Sequence, residues 1–463
     1  MTIARDLAER ICAFDHASHP AEALYWSKIG LLDTVGVTLA GCYDDPPRLL
    51  ARVLDSQVAA GPSLVFGGDR RIGCLEAARI NGTASHAIDF DNISPGLAGH
   101  ISAVMVPALI AAAEAYDVGG KELLLAHTIG YEVGSRIGHV VHTYHTDRGW
   151  HPTMTVGVFA VAAACAKLLN ATVEQTATAL SLSASFAAGL KANFGTMTKP
   201  LHSGQCAHAG LFAVLLAKEG YSANEAAIEH KQGYLNVFNG PGNYNTDVLF
   251  QNWGDPLLIV QPGARYKQYA CCASTHSPIE AAVALARKDG PFNESDIAKV
   301  DIWVHESRLP HCNRPFPKTD LDAKFSIQYC AVRGILNGAV KLYDFENSAF
   351  SQKPIQDLLK KVTTTACTPE QFPDNNRFGC EIRLETKNGR VLTSRVERVL
   401  GKSVDYAIPE ADMKLKFRDC ALRALTPDAV AQAEKLIDNF ENVASVKDFT
   451  KVLERKAPAA KAA

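Results

Sequence analysis

The chain has 463 residues, 47% of them hydrophobic and 21% charged, with a formal net charge of −2. That is the make-up of a globular enzyme-sized protein with core volume for two or three domains, and it carries no electrostatic footprint for nucleic acid or an anionic membrane. No apolar run reaches the roughly 18 residues of a membrane span. The twelve cysteines are scattered from Cys12 to Cys420 without a C-x-x-C pair, and only Cys271 and Cys272 are adjacent. They read as reduced thiols of a cytoplasmic protein, not as a disulfide framework.

The N-terminal MTIARDLAERICAF predicts an amphipathic helix with acidic residues, not a signal or transit peptide. From there to about residue 260 the pattern is helical almost throughout. AEALYWSKIGLLDTVGVTLAG, SAVMVPALIAAAEAY, KELLLAHTIGYEVGSRIG and TVGVFAVAAACAKLLN repeat apolar residues at three- and four-residue spacing. These segments are Ala-rich and apolar nearly all round, as helices buried in a large bundle are. Gly119-Gly120, Asn170-Ala171 and Gly220 fall where helices stop. TVEQTATAL and SANEAAI look like fresh starts of the capping-box type.

The character changes after about Pro262. IAKVDIWVHES alternates like a strand, and FGCEIRLETKNGRVLTSRVE reads as two strands about a Lys387-Asn388-Gly389 turn. Helical patterns lie between, at SPIEAAVALARK and LDAKFSIQYCAVRGILNG, and return after Ile408 at PEADMKLKFRDCAL and TPDAVAQAEKLIDNF. The fold class is therefore mainly α: a large all-helical domain from both chain ends (1–265 and 403–455), an α+β domain at 266–402, and a disordered tail at 456–463.

Four polar islands interrupt the apolar background. HAIDFDNISPGLAGHISA brings His86, Asp89, Asp91 and His100 around a tight loop, a pattern suited to proton exchange but also to a plain helix stop. HVVHTYHTDRGWHPTMT holds His139, His142, Tyr144, His145 and His151; its spacing matches no common zinc site. His151, at the entry to a helix, suits a neutral base or hydrogen-bond donor, whereas His139 and His142 suit a helix C-terminus that favours a partly cationic imidazole. In TMTKPLHSGQCAHAG, Lys199-Pro200 predicts an extended entry, with Ser203 capping a helix that starts near Gly204. A lysine ahead of free helix N–H groups is an anion site. In YKQYACCASTHSPIEAAVAL, His276 precedes a proline suited to a first helical turn, and downstream Arg314 sits in the proline-flanked HCNRPFP.

HAIDFDN with His100, GWHPTMTVGVFAVAAACAKLL, GTMTKPLHSG, CCASTHSPIEA and NRPFP occur in this order in one known group. Over about residues 5 to 450 the chain resembles the MmgE/PrpD family of 2-methylcitrate dehydratases, cis-aconitate decarboxylases and iminodisuccinate epimerases. The resemblance implies a large helical domain with a smaller α+β lid, a homodimer, and no metal, iron–sulfur cluster or organic cofactor. It assigns catalysis to Asp89, His100, His151, Lys199 and His276, while Ser94, Tyr144, His202 and Arg314 are the expected substrate contacts. Family members often read D-F-D-D-T where this chain has Asp89-Phe90-Asp91-Asn92-Ile93, leaving Ser94 to stand in for the threonine. The implied activity is that of a lyase or isomerase moving a proton beside a carboxylate of a small di- or tricarboxylate, by dehydration or decarboxylation. Epimerisation of an imino- or amino-dicarboxylate, or silent binding of a carboxylate, are the alternatives.

Overall fold

A computed structural model describes residues 2–142, 144–374, 376–402 and 404–455; the tail expected at 456–463 lies outside the described residues. The chain divides into two compact units, Met1–Tyr266 with Ser403–Ala463, and Lys267–Lys402.

The larger unit opens with α1 (Ile3–Ala13), α2 (Ala21–Gly41) and α3 (Asp45–Leu54), followed by a short antiparallel pair, β1 (Ala60–Leu64) and β2 (Arg71–Ile72). Then come α4 (Cys74–Ala87), α5 (Ile101–Tyr116), α6 (Gly120–Val141), two single turns α7 (Tyr144–Asp147) and α8 (Pro152–Thr155), α9 (Gly157–Leu168), α10 (Val173–Phe186), α11 (Thr198–Lys218) and α12 (Tyr234–Asn239). In α5 every residue from Ile101 to Glu114 is buried, and in α9 only Lys167 escapes burial. Alanine makes this possible, because a helix without bulky side chains can be surrounded on all sides by others. Thr172 and Gln175 form the capping box of α10 as the sequence predicts.

Two of these helices, α4 and α11, meet at unusually close range. Where they cross, a side chain on Gly82 would approach the Gly204 Cα to 3.0 Å, and one on Gly204 would collide with the Arg79 carbonyl and Thr83. The two backbones therefore touch through paired glycines. This corrects the reading of TKPLHSG: α11 starts at Thr198, so Lys199 and Pro200 lie in its first turn, not in an extended entry, and Ser203 and Gly204 are interior. Proline is tolerated there because its missing N–H is one the helix leaves unpaired anyway. Nor is SANEAAI a helix; residues 221–233 form irregular turns. The Asn224 side chain accepts from Ala226 N at 3.1 Å and its carbonyl from Ala227 N at 2.9 Å, local bonds that compete with a helical ladder.

The smaller unit contains α13 (His276–Asp289), β3 (Ile297–Val304), α14 (Leu309–Cys312), α15 (Asp320–Ala323), α16 (Ile327–Asn337), α17 (Lys353–Leu359), β4 (Val362–Ala366), β5 (Cys380–Thr386) and β6 (Val391–Val396). Its sheet runs in the order β4-β3-β5-β6, with β3 parallel to β4 and antiparallel to β5. The predicted hairpin is β5–β6, its turn closed by Gly389 at φ 87°. Cys380, Ile382 and Leu384 of β5 face a buried side while their neighbours are half-exposed, the alternation of a one-sided sheet. The chain then rejoins the larger unit through α18 (Glu410–Ala421), α19 (Pro427–Asp438) and α20 (Val446–Val452). No helix is long and apolar enough to cross a membrane among the described residues.

Candidate active site

The larger unit gathers its chemistry where one helix ends and others begin. His86 is in the last turn of α4, His100 is the N-cap of α5, His151 the N-cap of α8, and Lys199 lies in the first turn of α11. After α4 the backbone turns sharply at Asp89, whose left-handed φ of 56° is uncommon outside glycine and easiest for Asp and Asn. That turn sets Asp89 and Asp91 against the same group of imidazoles. All of these side chains are buried.

A chain of polar contacts runs through all of them except His151. The Lys199 ammonium donates to Asp89 Oδ1 at 2.7 Å and stands 2.9 Å from His86 Nε2. On the far side of the ring, His86 Nδ1 is 3.0 Å from both Asp91 oxygens. Since ammonium has only donors and carboxylate only acceptors, the pairing fixes the tautomer: His86 accepts at Nε2 and donates from Nδ1. His100 Nδ1 comes within 2.7 Å of the second Asp91 oxygen, although it is not aligned as a hydrogen bond. The His86 and His100 rings lie 4.3 Å apart.

Burial decides the charge states. It pushes the His86 imidazole down to about 3; Asp91 opposes that shift and Lys199 adds to it, so the ring is neutral near pH 7. Burial alone would raise Asp91, but His100 and His86 hold it well below the ordinary carboxylate range. Burial, reinforced by Lys199, also drives His151 well below the usual imidazole value. His151 Nδ1 is 3.0 Å from His202 Nδ1, so one ring donates and the other accepts; His202 is lowered too, by burial and then Lys199. Phe194 backs both groups, edge-on to the His151 ring at 4.8 Å and 5.6 Å from the Lys199 ammonium. The result is an ammonium and two carboxylates in contact with imidazoles, of which His86 and His151 are kept neutral by burial, an arrangement able to carry protons.

His86, Asp91 and His100 also offer three atoms within 4.8 Å of one another, as a metal site would. Both nitrogens of His86 are already engaged, however, and an ammonium 2.9 Å away repels a cation. The set is better suited to proton transfer.

A second buried network holds the loop in place. Lys416 of α18 donates to Asp33 Oδ1 at 2.6 Å and to the Phe90 carbonyl at 2.7 Å, and lies 3.8 Å above the Phe90 ring. Asp33 of α2 accepts from the Asn92 backbone and side-chain amides, each at 3.1 Å. The residues on either side of Asp91 are thus tied to helices from opposite ends of the chain. Sequence reasoning does not single out Lys416 or Asp33. A signal exists for Asp33, a single carboxylate inside the apolar run SKIGLLDTVGVTLAG, since a buried charge needs a partner; nothing local marks Lys416.

Of the nine predicted site residues, the structure brings Asp89, His100, His151, Lys199 and His202 together, with His86 and Asp91 added. Ser94 is turned elsewhere: its hydroxyl is 2.8 Å from Ser135 Oγ and accepts from Leu97 N at 3.2 Å, closing the loop that a Ser94–Gly99 bridge starts. Tyr144 is an exposed residue of α7 with the Arg148 guanidinium 5.8 Å over its ring. His276 and Arg314 belong to the smaller unit. His276 is the buried first residue of α13, edge-on to Tyr269 at 5.2 Å. The Arg314 guanidinium is paired with Asp322 and lies 5.3 Å over Phe325. His139, expected to be partly cationic, is instead lowered by burial, which outweighs the helix dipole.

A buried lysine–histidine–aspartate chain in an alanine-rich helical unit, with a separate mixed-sheet unit, is the pattern that sequence comparison then places. Residues 5–247 match the MmgE/PrpD N-terminal domain and residues 269–442 the MmgE/PrpD C-terminal domain, and the chain belongs to the MmgE/PrpD family. Among its relatives, the cis-aconitate decarboxylase of Homo sapiens is 29% identical over 441 residues, spanning 93% of this chain and 90% of the relative. The Mus musculus cis-aconitate decarboxylase is 28% identical, spanning 92% and 88%. That of Aspergillus terreus is 26% identical, spanning 94% and 92%.

Proposed function

We propose that this protein is a lyase that decarboxylates cis-aconitate or a closely similar small tricarboxylate, without a resident cofactor. The observation that carries the reading is the buried Lys199 ammonium in contact with Asp89 and with the neutral His86. The names of the relatives favour decarboxylation over the dehydration and epimerisation open to the family.

The chemistry is simple in outline. The bond between an allylic carbon and its carboxylate breaks and carbon dioxide leaves. The bond pair becomes a new carbon–carbon double bond, and the former π pair takes up one proton at the far carbon, beside a remaining carboxylate. Negative charge builds toward that carboxylate, where an ammonium in a low-dielectric site stabilises it best. Lys199 is assigned this role. The proton comes from the Lys199–His86–Asp91–His100 chain, and His151, kept neutral by burial, serves as a donor or acceptor near the reacting carbon. His276 is assigned an acid–base role on the family resemblance alone.

The test is incubation of the protein with cis-aconitate, citrate-like and succinate-like acids in deuterated water, followed by proton NMR and carbon dioxide detection. Carbon dioxide release from cis-aconitate, with one solvent deuteron in the product, supports the reading. Deuterium washed into a recovered dicarboxylate without carbon dioxide, or loss of water from a citrate-like acid, overturns it.

A further inference from the structure

A second constellation lies in the smaller unit, and the proposed function does not use it. Cys272, His311 and Cys312 present two sulfurs and a ring nitrogen that all lie within 4.8 Å of one another. We propose that these three side chains form a binding site for zinc(II), with the fourth coordination position open to water.

The donor set suits that ion. Zinc takes thiolate and imidazole in tetrahedral array with bonds of about 2.3 and 2.0–2.1 Å, so ligand atoms sit roughly 3.4–3.8 Å apart. Here, from within 4.8 Å, they need close by at most about 1.4 Å to reach that spacing. Two anchored turns supply the ligands. Cys272 N donates to the Lys324 carbonyl at 2.9 Å, and the Cys272 carbonyl accepts from Thr275 N at 2.9 Å. His311 and Cys312 close the single turn α14, where Asn313 N reaches the Leu309 carbonyl at 3.0 Å. The imidazole is oriented from outside: His311 Nε2 is 3.0 Å from Ser274 Oγ, which accepts from Arg308 at 3.1 Å. Hydrogen-bonded support of this kind accompanies most metal-binding histidines.

The gradient of exposure also fits. Cys312 is buried, Cys272 half-buried and His311 exposed, so an ion has a route in and a side left for water. The neighbouring thiols are spoken for and stay outside the set: Cys271 Sγ is 3.0 Å from Thr275 Oγ1, and Cys330 Sγ points to the Ala323 carbonyl at 3.7 Å. Cys272 and Cys312 are both free cysteines, and binding zinc releases the protons of the two thiols. Residues far apart in sequence would then be clamped together.

Cobalt(II) is the probe. The reduced, chelator-treated full chain is titrated with cobalt(II) alone, then with zinc(II) in competition. The site predicts a thiolate-to-cobalt charge-transfer band saturating at one equivalent and lost on adding zinc, with the thermal midpoint rising on zinc addition. Cys272→Ser, Cys312→Ser and His311→Ala each weaken cobalt binding at least tenfold, while Cys330→Ser, with circular dichroism matching wild type, leaves it unchanged. No band in the reduced wild-type protein, a band that survives in Cys272→Ser/Cys312→Ser, or a Cys272–Cys312 disulfide forming in place of metal uptake overturns the proposal.

Discussion

Replacing Lys199 by methionine keeps the length of the side chain and removes its charge. The ammonium lies 2.7 Å from Asp89 and 2.9 Å from His86, in a site where all three side chains are buried. Stripping one partner from a buried ion pair costs about 3–5 kcal/mol, because the remaining charge has no water to turn to. The chain has one escape, which is to protonate the stranded carboxylate. For an ordinary aspartate of pKa about 3.9, that costs about 4 kcal/mol at pH 7, at 1.36 kcal/mol per unit. Both routes therefore converge on a loss of about 4 kcal/mol for Lys199→Met. Asp89→Asn in the same background removes the stranded charge and is expected to recover most of that loss without restoring turnover. Urea denaturation of wild type, both single variants and the double variant at pH 7 measures each term. A Lys199→Met protein within about 1 kcal/mol of wild type, or a double variant no more stable than Lys199→Met, would refute the buried-pair reasoning.

Lys416→Met releases the Phe90 carbonyl and strands Asp33. It should lower kcat more than it raises KM and destabilise by about 3 kcal/mol or more, whereas Lys416→Arg retains part of both; equal kinetics in all three proteins would show that the Lys416 grip does not position the loop. Gly204→Ala places a methyl against the Arg79 carbonyl and Thr83, so α4 and α11 must part; the expected cost is about 2–3 kcal/mol in a denaturant midpoint, and a neutral result would contradict the backbone crossing. Acidification should unfold the protein through its histidines. Burial lowers His19, His127, His145 and His208 to about 4 and His86 to about 3. The unfolded chain, titrating near 6.5, thus binds more protons than the fold, and stability is full above about pH 6.5 and falls toward pH 4. Equal urea midpoints at pH 7.5 and 5 would contradict that linkage.

Whatever depends on neighbours in sequence is legible in the sequence. The capping box at Thr172, the β5–β6 turn at Gly389 and the almost fully buried helices of the alanine-rich segments are all local patterns, and they form as the residues predict. Ser203 and Gly204 mislead because small residues serve two purposes. In a sequence they look like a helix start, yet here they let α11 lie against α4 at van der Waals distance. No local pattern marks β1, β2 or β4, and VTTTA carries too few apolar residues to stand out; β4 is half-buried or exposed along its length. In the site, the imidazoles and Lys199 are visible because polar residues are conspicuous in an apolar chain. Their connections are not. His86 and Lys199 are 113 positions apart, and Lys416 reaches Asp33 across 383. Ser94 shows the converse: a hydroxyl beside the right motif is spent on Ser135.

The most direct measurement is carbon dioxide release from cis-aconitate by the wild-type protein and by Lys199→Met, side by side and both verified as folded. The account predicts steady release by wild type and a rate at least about a hundredfold lower in the variant, the usual scale for losing one charge-stabilising group in a buried site. Release by Lys199→Met within tenfold of wild type, or a wild-type protein inert toward cis-aconitate, would contradict it.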